Sequence, residues 1–378
     1  MIRPLPISHF EARLQDQLDL LRKMVELESP TTDKAAVDAL GNFVGESMRH
    51  RGATVLRFPQ ETAGDHWLGQ WGDGTGGILV LAHIDTVHAL GTISKMPWRV
   101  GGDRLYGPGV MDMKSGLAIA LTAIEAVQQA SLAPRSRISL LCTSDEETGS
   151  HTSRELIEDQ AREHELVLCM EPGLPDGSLK TWRKGIGDFR VEVTGRAAHA
   201  GANPEAGVNA IVEMAHVIHR LTSLEDPAKG TTVSVGVVGG GTRTNVVPAW
   251  CFAEVDLRVL EVSEMDRLNV ALSSLEPVLP GATISFEGSW NRPPMPRTPI
   301  LAEAFGRALA IGAKLGLQLS EGGTGGGSDA NFVAPLGVPV LDGLGAVGNG
   351  AHSEREYIHL SSLPPRTALL AALISEWG

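Results

Sequence analysis

Three short apolar runs in the first half of the chain each end on acids or histidine: ILVLAHID at 78–85, RISLLCTS at 137–144 followed by DEE, and LVLCME at 166–171. Runs of this length read as strands, and the amphipathic stretches at 114–130 and 152–163 read as helices between them. Strands alternating with helices specify an α/β fold on a parallel sheet. Such an open sheet binds ligands beyond the carboxyl ends of its strands, so the polar residues that close the runs gather along one edge. Carboxylates crowded beside buried strands repel one another and lose hydration, and a positive partner must offset both costs.

After residue 185 the pattern changes. A strand at 189–195, a helix at 207–221, strands at 231–238 and 249–260, a helix at 263–275 and a strand at 282–286 give the order βαββαβ, a ferredoxin-like α+β unit. The proline-rich stretch 292–299 reads as a return linker. A helix at 300–315, the glycine-rich run 322–328 and a strand at 338–341 then complete the first domain. At 378 residues the chain exceeds one ordinary core. The expected division is a discontinuous catalytic domain, 1–183 and 293–378, interrupted by an inserted domain at 184–292.

A formal net charge of −13 without a lysine- or arginine-rich stripe argues against nucleic acid as a partner. The opening MIRPLPISHFEARLQDQ lacks a secretory apolar core, and no later stretch reaches membrane-spanning length, so a cytoplasmic protein without membrane contact is expected. Cys142, Cys169 and Cys251 lie among apolar neighbours without CxxC spacing and are expected to be buried free thiols.

His83 and Asp85, two apart on a strand, leave the same face. A histidine there can bind metal through one ring nitrogen while the carboxylate orients the ring through the other; taken alone, such a pair is more often just a satisfied hydrogen bond. Asp112, in YGPGVMDMKSG, precedes a helix and by itself reads as an N-cap. Capping does not explain why it should join Glu146, Glu147 and Glu171 at one sheet edge. Two divalent cations do, with four positive charges against a bridging carboxylate, two terminal ones and a hydroxide. Zinc accepts histidine and carboxylate together, and Co2+ or Mn2+ are possible substitutes. Adjacent Glu146 and Glu147 point in different directions, so one can ligate while the other handles the proton of the attacking water. His352, in NGAHSEREYI, completes the set. The run GGTGGGSDA lacks the lysine and the setting of a P-loop, and its glycines, Gly327 among them, are better used for close approach of a substrate's backbone.

HIDTV, GPGVMDMKSG, TSDEETGS, MEPG and AHSE, in that order, resemble the M20 family of zinc peptidases and deacylases. GRAAHAGANPEAGVNA, TNVVPA, DLR, TGGGSDA and LGVPV resemble its glutamate carboxypeptidase (carboxypeptidase G) branch in particular. The resemblance implies a zinc-peptidase-type sheet domain with helices on both faces, two Zn2+ per chain, and a homodimer joined through the inserted domain, which also acts as a lid. It implies that Asp112 bridges the ions, with His83 and Glu171 completing one and Glu147 and His352 the other. Glu146 is then the general base, Asp85 orients His83, and the Asp112–Met113 peptide is expected to be cis. In the inserted domain His199 polarises the scissile carbonyl across the dimer, Asn245 assists with hydrogen bonds, and Arg258 grips the substrate's carboxylate. From the residues alone, an inward arginine on a strand has the alternative of only pairing with Asp256 or Glu254.

The implied reaction is hydrolysis of the amide linking an acyl or peptidyl group to a C-terminal amino acid, glutamate above all, with folate-type substrates included. An N-acyl-amino-acid deacylase of other specificity would need the same Arg258. A noncatalytic metal-bound binding protein would lack a ligand or the base, and none is missing. A two-metal phosphoesterase would require a basic clamp that this sequence does not supply.

Overall fold

The computed structural model describes residues 4–134 and 136–377. Residues 182–296 with 325–327 form one compact unit, and the rest of the described chain forms another.

In the larger unit, strands Thr54–Phe58 (β1), His66–Trp71 (β2), Ile78–His83 (β3), Ile138–Thr143 (β4) and Leu166–Cys169 (β5) lie in the order β1-β2-β4-β3-β5, with Val340–Leu341 outside β5. β4, β3, β5 and Val340–Leu341 are parallel neighbours, while β1 and β2 extend the other edge antiparallel. Every residue of β3, β4 and β5 is buried, which is why their sequences are unbroken apolar runs and do not alternate. Helix Ser115–Gln129 (α1) is apolar almost all round and buried to match. Its first turn presses on the end of β5 so closely that a Cβ on Gly116 would stand 2.1 Å from the Met170 carbonyl oxygen. Only glycine permits that approach, which brings the residues before α1 beside those after β5.

A second sheet pairs Arg99–Gly101, Arg104–Tyr106, Tyr357–His359 and Gly348–Asn349, all antiparallel. Strands of two or three residues leave no periodic trace in a sequence, and no pattern in this one announces the sheet. It sets the loop carrying His352 against the segment that leads into Asp112. The Asp112–Met113 peptide is cis. All three cysteines are free and buried, and no helix among the described residues is long and apolar enough to cross a membrane.

In the smaller unit, Gly185–Thr194 (β6), Thr232–Gly240 (β7), Trp250–Val259 (β8) and Thr283–Arg292 (β9) form an antiparallel sheet in the order β7-β8-β6-β9. This is the ferredoxin-like arrangement expected of βαββαβ. Phe189, Val191, Val193, Ala253, Val255 and Leu257 alternate inward and share a core with Met214, Val217 and Leu221 of Ala210–Thr222 (α2) and Leu268 and Leu272 of Val262–Ser273 (α3).

Candidate metal centre

His83 closes β3, Asp112 precedes α1, Glu146 and Glu147 follow β4, Glu171 follows β5, and His352 stands in the loop after Gly348–Asn349. The larger unit gathers them. His83 Nε2 lies 3.2 Å from Asp112 Oδ1 and 3.7 Å from Glu171 Oε1; His352 Nε2 lies 3.3 Å from Asp112 Oδ2 and 3.2 Å from Glu147 Oε2. Ligand atoms of His83, Glu146 and Glu171 also fall within 4.8 Å of one another. Asp112 therefore offers one oxygen to each histidine, and each histidine has a further carboxylate of its own. A tetrahedral ion with ligands at about 2.1 Å holds them about 3.4 Å apart, which is the spacing of this cluster.

His83 turns its other nitrogen to Asp85, with Nδ1 3.0 Å from the backbone carbonyl oxygen and 3.4 Å from Oδ1. A neutral ring that donates from Nδ1 keeps its lone pair on Nε2, the atom facing the cluster. Asp85 is wholly buried, and its carboxylate also accepts the backbone N–H of Glu146 at 3.3 Å, the N–H of Glu147 at 3.1 Å and the Thr31 hydroxyl at 2.7 Å. It thus fixes the turn that carries both glutamates as well as the ring. Asp145, the third acid of the DEE run, is engaged elsewhere, accepting the Thr152 N–H at 2.6 Å and the Ser153 hydroxyl at 2.6 Å.

The charges of the cluster are strongly coupled. Burial by itself would lower the pKa of His83, but Asp112, Asp85 and Glu146 together hold it well above its ordinary value. Hydrogen bonds to the carboxylates of Asp112 and then Glu147 push His352 up to about 11. Burial raises Glu147, with His352 opposing. The carboxylates thus draw positive charge onto both rings, the charge that divalent ions supply when bound. Glu147 Oε1 is buried without a hydrogen-bond partner, an acceptor that a cation would satisfy. Two imidazoles and several carboxylates without a thiolate suit zinc, cobalt or manganese.

The model of peptidase family M20/M25/M40 matches residues 79–376. The chain belongs to that family. Carboxypeptidase G2 from Pseudomonas sp. (strain RS-16) is 33% identical to it, over 98% of this chain and 92% of its own. Succinyl-diaminopimelate desuccinylase from Dechloromonas aromatica (strain RCB) is 30% identical, over 72% of this chain and 74% of its own. The crystal structure of the YXEP protein of Bacillus subtilis, a dinuclear metal-binding peptidase from the M20 family, has the same fold, with a TM-score of 0.71 at 15% identity over 97% of this chain and 98% of its own.

In the smaller unit of this M20 chain, His199 and Asn245 are exposed on neighbouring loops, and the Asn245 carbonyl accepts the Ala200 N–H at 3.0 Å. His199 Nδ1 accepts the N–H groups of Gly201 and Ala202 at 3.1 and 3.0 Å. A neutral imidazole accepting at Nδ1 carries its hydrogen on Nε2, so His199 is an N–H donor at its outer edge. Arg258 is paired with Asp256. Its Nε and Nη2 each lie 2.9 Å from Asp256, and Nη1 donates to the Gly325 carbonyl at 2.8 Å. A guanidinium has five N–H bonds, so one on each Nη remains for a further acceptor. A Cβ on Gly327 would stand 2.6 Å from both Arg292 Cδ and Ile186 Cδ1.

One contributor, Thr31, carries no signal in the M20 motifs, and Lys114 lies inside GPGVMDMKSG without a role assigned to it there. Thr31, bonded to Asp85, lies in the first seventy residues, which hold none of those motifs. Lys114 is buried, donates to the Leu27 carbonyl at 3.0 Å, and is lowered to about 7 by burial, with Glu356 and Glu28 opposing.

Proposed function

We propose that this M20 chain is a dinuclear zinc amidohydrolase that cleaves the amide bond to a C-terminal amino acid, glutamate above all, in N-acyl amino acids or short peptides. The observation that carries this reading is the shared aspartate: Asp112 faces His83 at 3.2 Å with one oxygen and His352 at 3.3 Å with the other. His83, Asp112 and Glu171 would hold one ion, and Asp112, Glu147 and His352 the second. When bound, the ions supply Lewis acidity, lowering a water's pKa to about 7 and polarising a carbonyl.

Glu147 is engaged by His352 at 3.2 Å, and the M20 resemblance makes its neighbour Glu146 the base. Glu146 accepts the proton of the attacking water on its carboxylate and passes it to the leaving amine nitrogen. His199 of a partner subunit, with its hydrogen on Nε2, donates to the carbonyl oxygen as charge builds there, and Asn245 adds a second hydrogen bond. Arg258, steadied by Asp256, holds the substrate's carboxylate through its remaining N–H groups. In this reading the smaller unit joins the homodimer and covers the substrate.

The relation to carboxypeptidase G2 supports the carboxypeptidase reading, and the dinuclear centre of the YXEP protein supports the two ions. The relation to succinyl-diaminopimelate desuccinylase supports a second reading, an N-acyl-amino-acid deacylase. A panel of N-acyl and peptidyl substrates differing in the leaving amino acid, ranked by kcat/KM, separates the two. Glutamate should lead; a panel led by N-succinyl or N-acetyl derivatives of other amino acids replaces the first reading by the second. Metal analysis of protein prepared without chelator should find about two divalent ions per chain, and full activity with one ion or none would remove the dinuclear centre.

A further inference from the structure

Glu356 stands four residues after His352 in the charged run HSERE, and it is fully buried. Its Oε1 accepts the backbone N–H of Met111 at 2.7 Å and of Asp112 at 3.0 Å. Its Oε2 accepts the N–H of Gly109 at 3.0 Å and lies 2.6 Å from His88 Nε2. A carboxylate has about four lone-pair sites, and all are used here. The donors come from two places: the loop after β3, five residues past His83, and the turn that ends on Asp112. Glu356 itself closes the loop that carries His352. One side chain thus fastens the three segments that supply His83, Asp112 and His352.

The three segments differ in what else holds them. His83 is the last residue of a buried strand, and Glu171 lies two residues past the end of another. His352 stands in a loop: its side chain is 55% exposed and its backbone sits at φ 62°. The aspartate side chain has only two rotatable bonds, so the Asp112 backbone decides whether its two oxygens reach two histidines at once. The bonds from Glu356 set that backbone and the His352 loop together.

We propose that Glu356 is a positioning residue for the bridge: it holds Asp112 and His352 in register, so that the second ion depends on it far more than the first. The inference rests on the dinuclear reading above. Glutamine at this position has one acceptor oxygen and turns an NH2 group toward backbone N–H donors, so part of the clamp is lost while the size is kept.

The test is titration of metal-free full-length protein with Co2+ alone, followed by the visible d–d bands and by equilibrium dialysis. Wild type should take up two ions. E356Q should bind the first within about threefold of wild type and the second about 10- to 100-fold more weakly, the usual range for a partner behind the ligands. E356D, which keeps the charge, should recover part of the loss. Uptake of a single ion by wild type would remove the dinuclear reading and this inference with it. Two ions in wild type, with both bound normally by E356Q or both weakened equally, would overturn the inference alone, whatever happens to the melting temperature. If E356Q does not fold, H88A removes one of the four donors and leaves the carboxylate. It should weaken the second ion by about three- to tenfold on the same grounds, and unchanged binding of both ions would again overturn the proposal.

Discussion

The buried carboxylate of Asp85 accepts the backbone N–H of Glu147 at 3.1 Å, so the residue that steadies the ring of His83 also fixes the neighbouring turn. Both His83 and Glu147 point into the cluster, and Asp85 stands behind both. Asp85→Asn keeps one acceptor oxygen but sets an NH2 group among N–H donors. It should lower metal occupancy and reduce kcat by about 10- to 100-fold. Metal content and kcat measured together check this; values within threefold of wild type for both would mean that the bond carries no function.

The adjacent glutamates should separate cleanly. Glu146→Gln should retain fold and metal and lose turnover by two or more powers of ten, the scale of general acid–base catalysis. Glu147→Gln removes a partner of His352 at 3.2 Å and should lose metal first. Equal metal loss in the two variants would show that the roles are assigned the wrong way round.

Gly116→Ala adds a methyl group that would stand 2.1 Å from the Met170 carbonyl oxygen. Backbone does not yield as a flexible side chain does, so α1 and the end of β5 must part. The expected cost is about 1–3 kcal/mol of stability, together with weaker metal binding as Glu171 shifts. An unchanged unfolding midpoint would contradict the tight packing.

The strand ends are legible in the sequence because buried parallel strands leave unbroken apolar runs, and a change to acid or histidine marks where each strand ends at the site. The inserted unit is legible by its alternation. What stays hidden depends on contacts between distant segments. His66–Trp71 reads as no clear pattern, since its burial comes from pairing with both β1 and β4 and from Trp67 packing over Gly41 and Gly45. Among Asp145, Glu146 and Glu147, nothing local tells which acid is taken by Thr152 and Ser153. Glu356 sits in HSERE, which reads as a solvated loop, and its burial becomes visible only when the turn before α1 is placed over it.

Arg258 should act on binding more than on turnover. Arg258→Ala is expected to raise KM strongly, and amidating the substrate's C-terminal carboxylate should do the same to wild type. Asp256→Asn, which loosens the guanidinium from the carboxylate 2.9 Å away, should raise KM less. Normal cleavage of the amidated substrate would exclude the carboxypeptidase and the acyl-amino-acid deacylase readings alike.

The last prediction concerns whether His199 works in trans. Glu146 belongs to the larger unit and His199 to the smaller, so a dimer joined through its inserted units can present each His199 to the partner's metal centre. Glu146→Gln and His199→Ala, prepared separately, should each be nearly inactive. When their subunits exchange, the site with native Glu146 in a mixed dimer lies on the His199→Ala chain and receives a native His199 from the other. Random exchange makes half the dimers mixed, each with one good site in two, so activity should return to roughly a quarter of wild type for a two-fold symmetric interface. Exchange is verified by mass of the mixed species. Mixed dimers present without recovered activity would mean that His199 acts within its own chain, because the chain with native Glu146 then still lacks its histidine, and a His199→Ala protein active by itself would remove the role altogether.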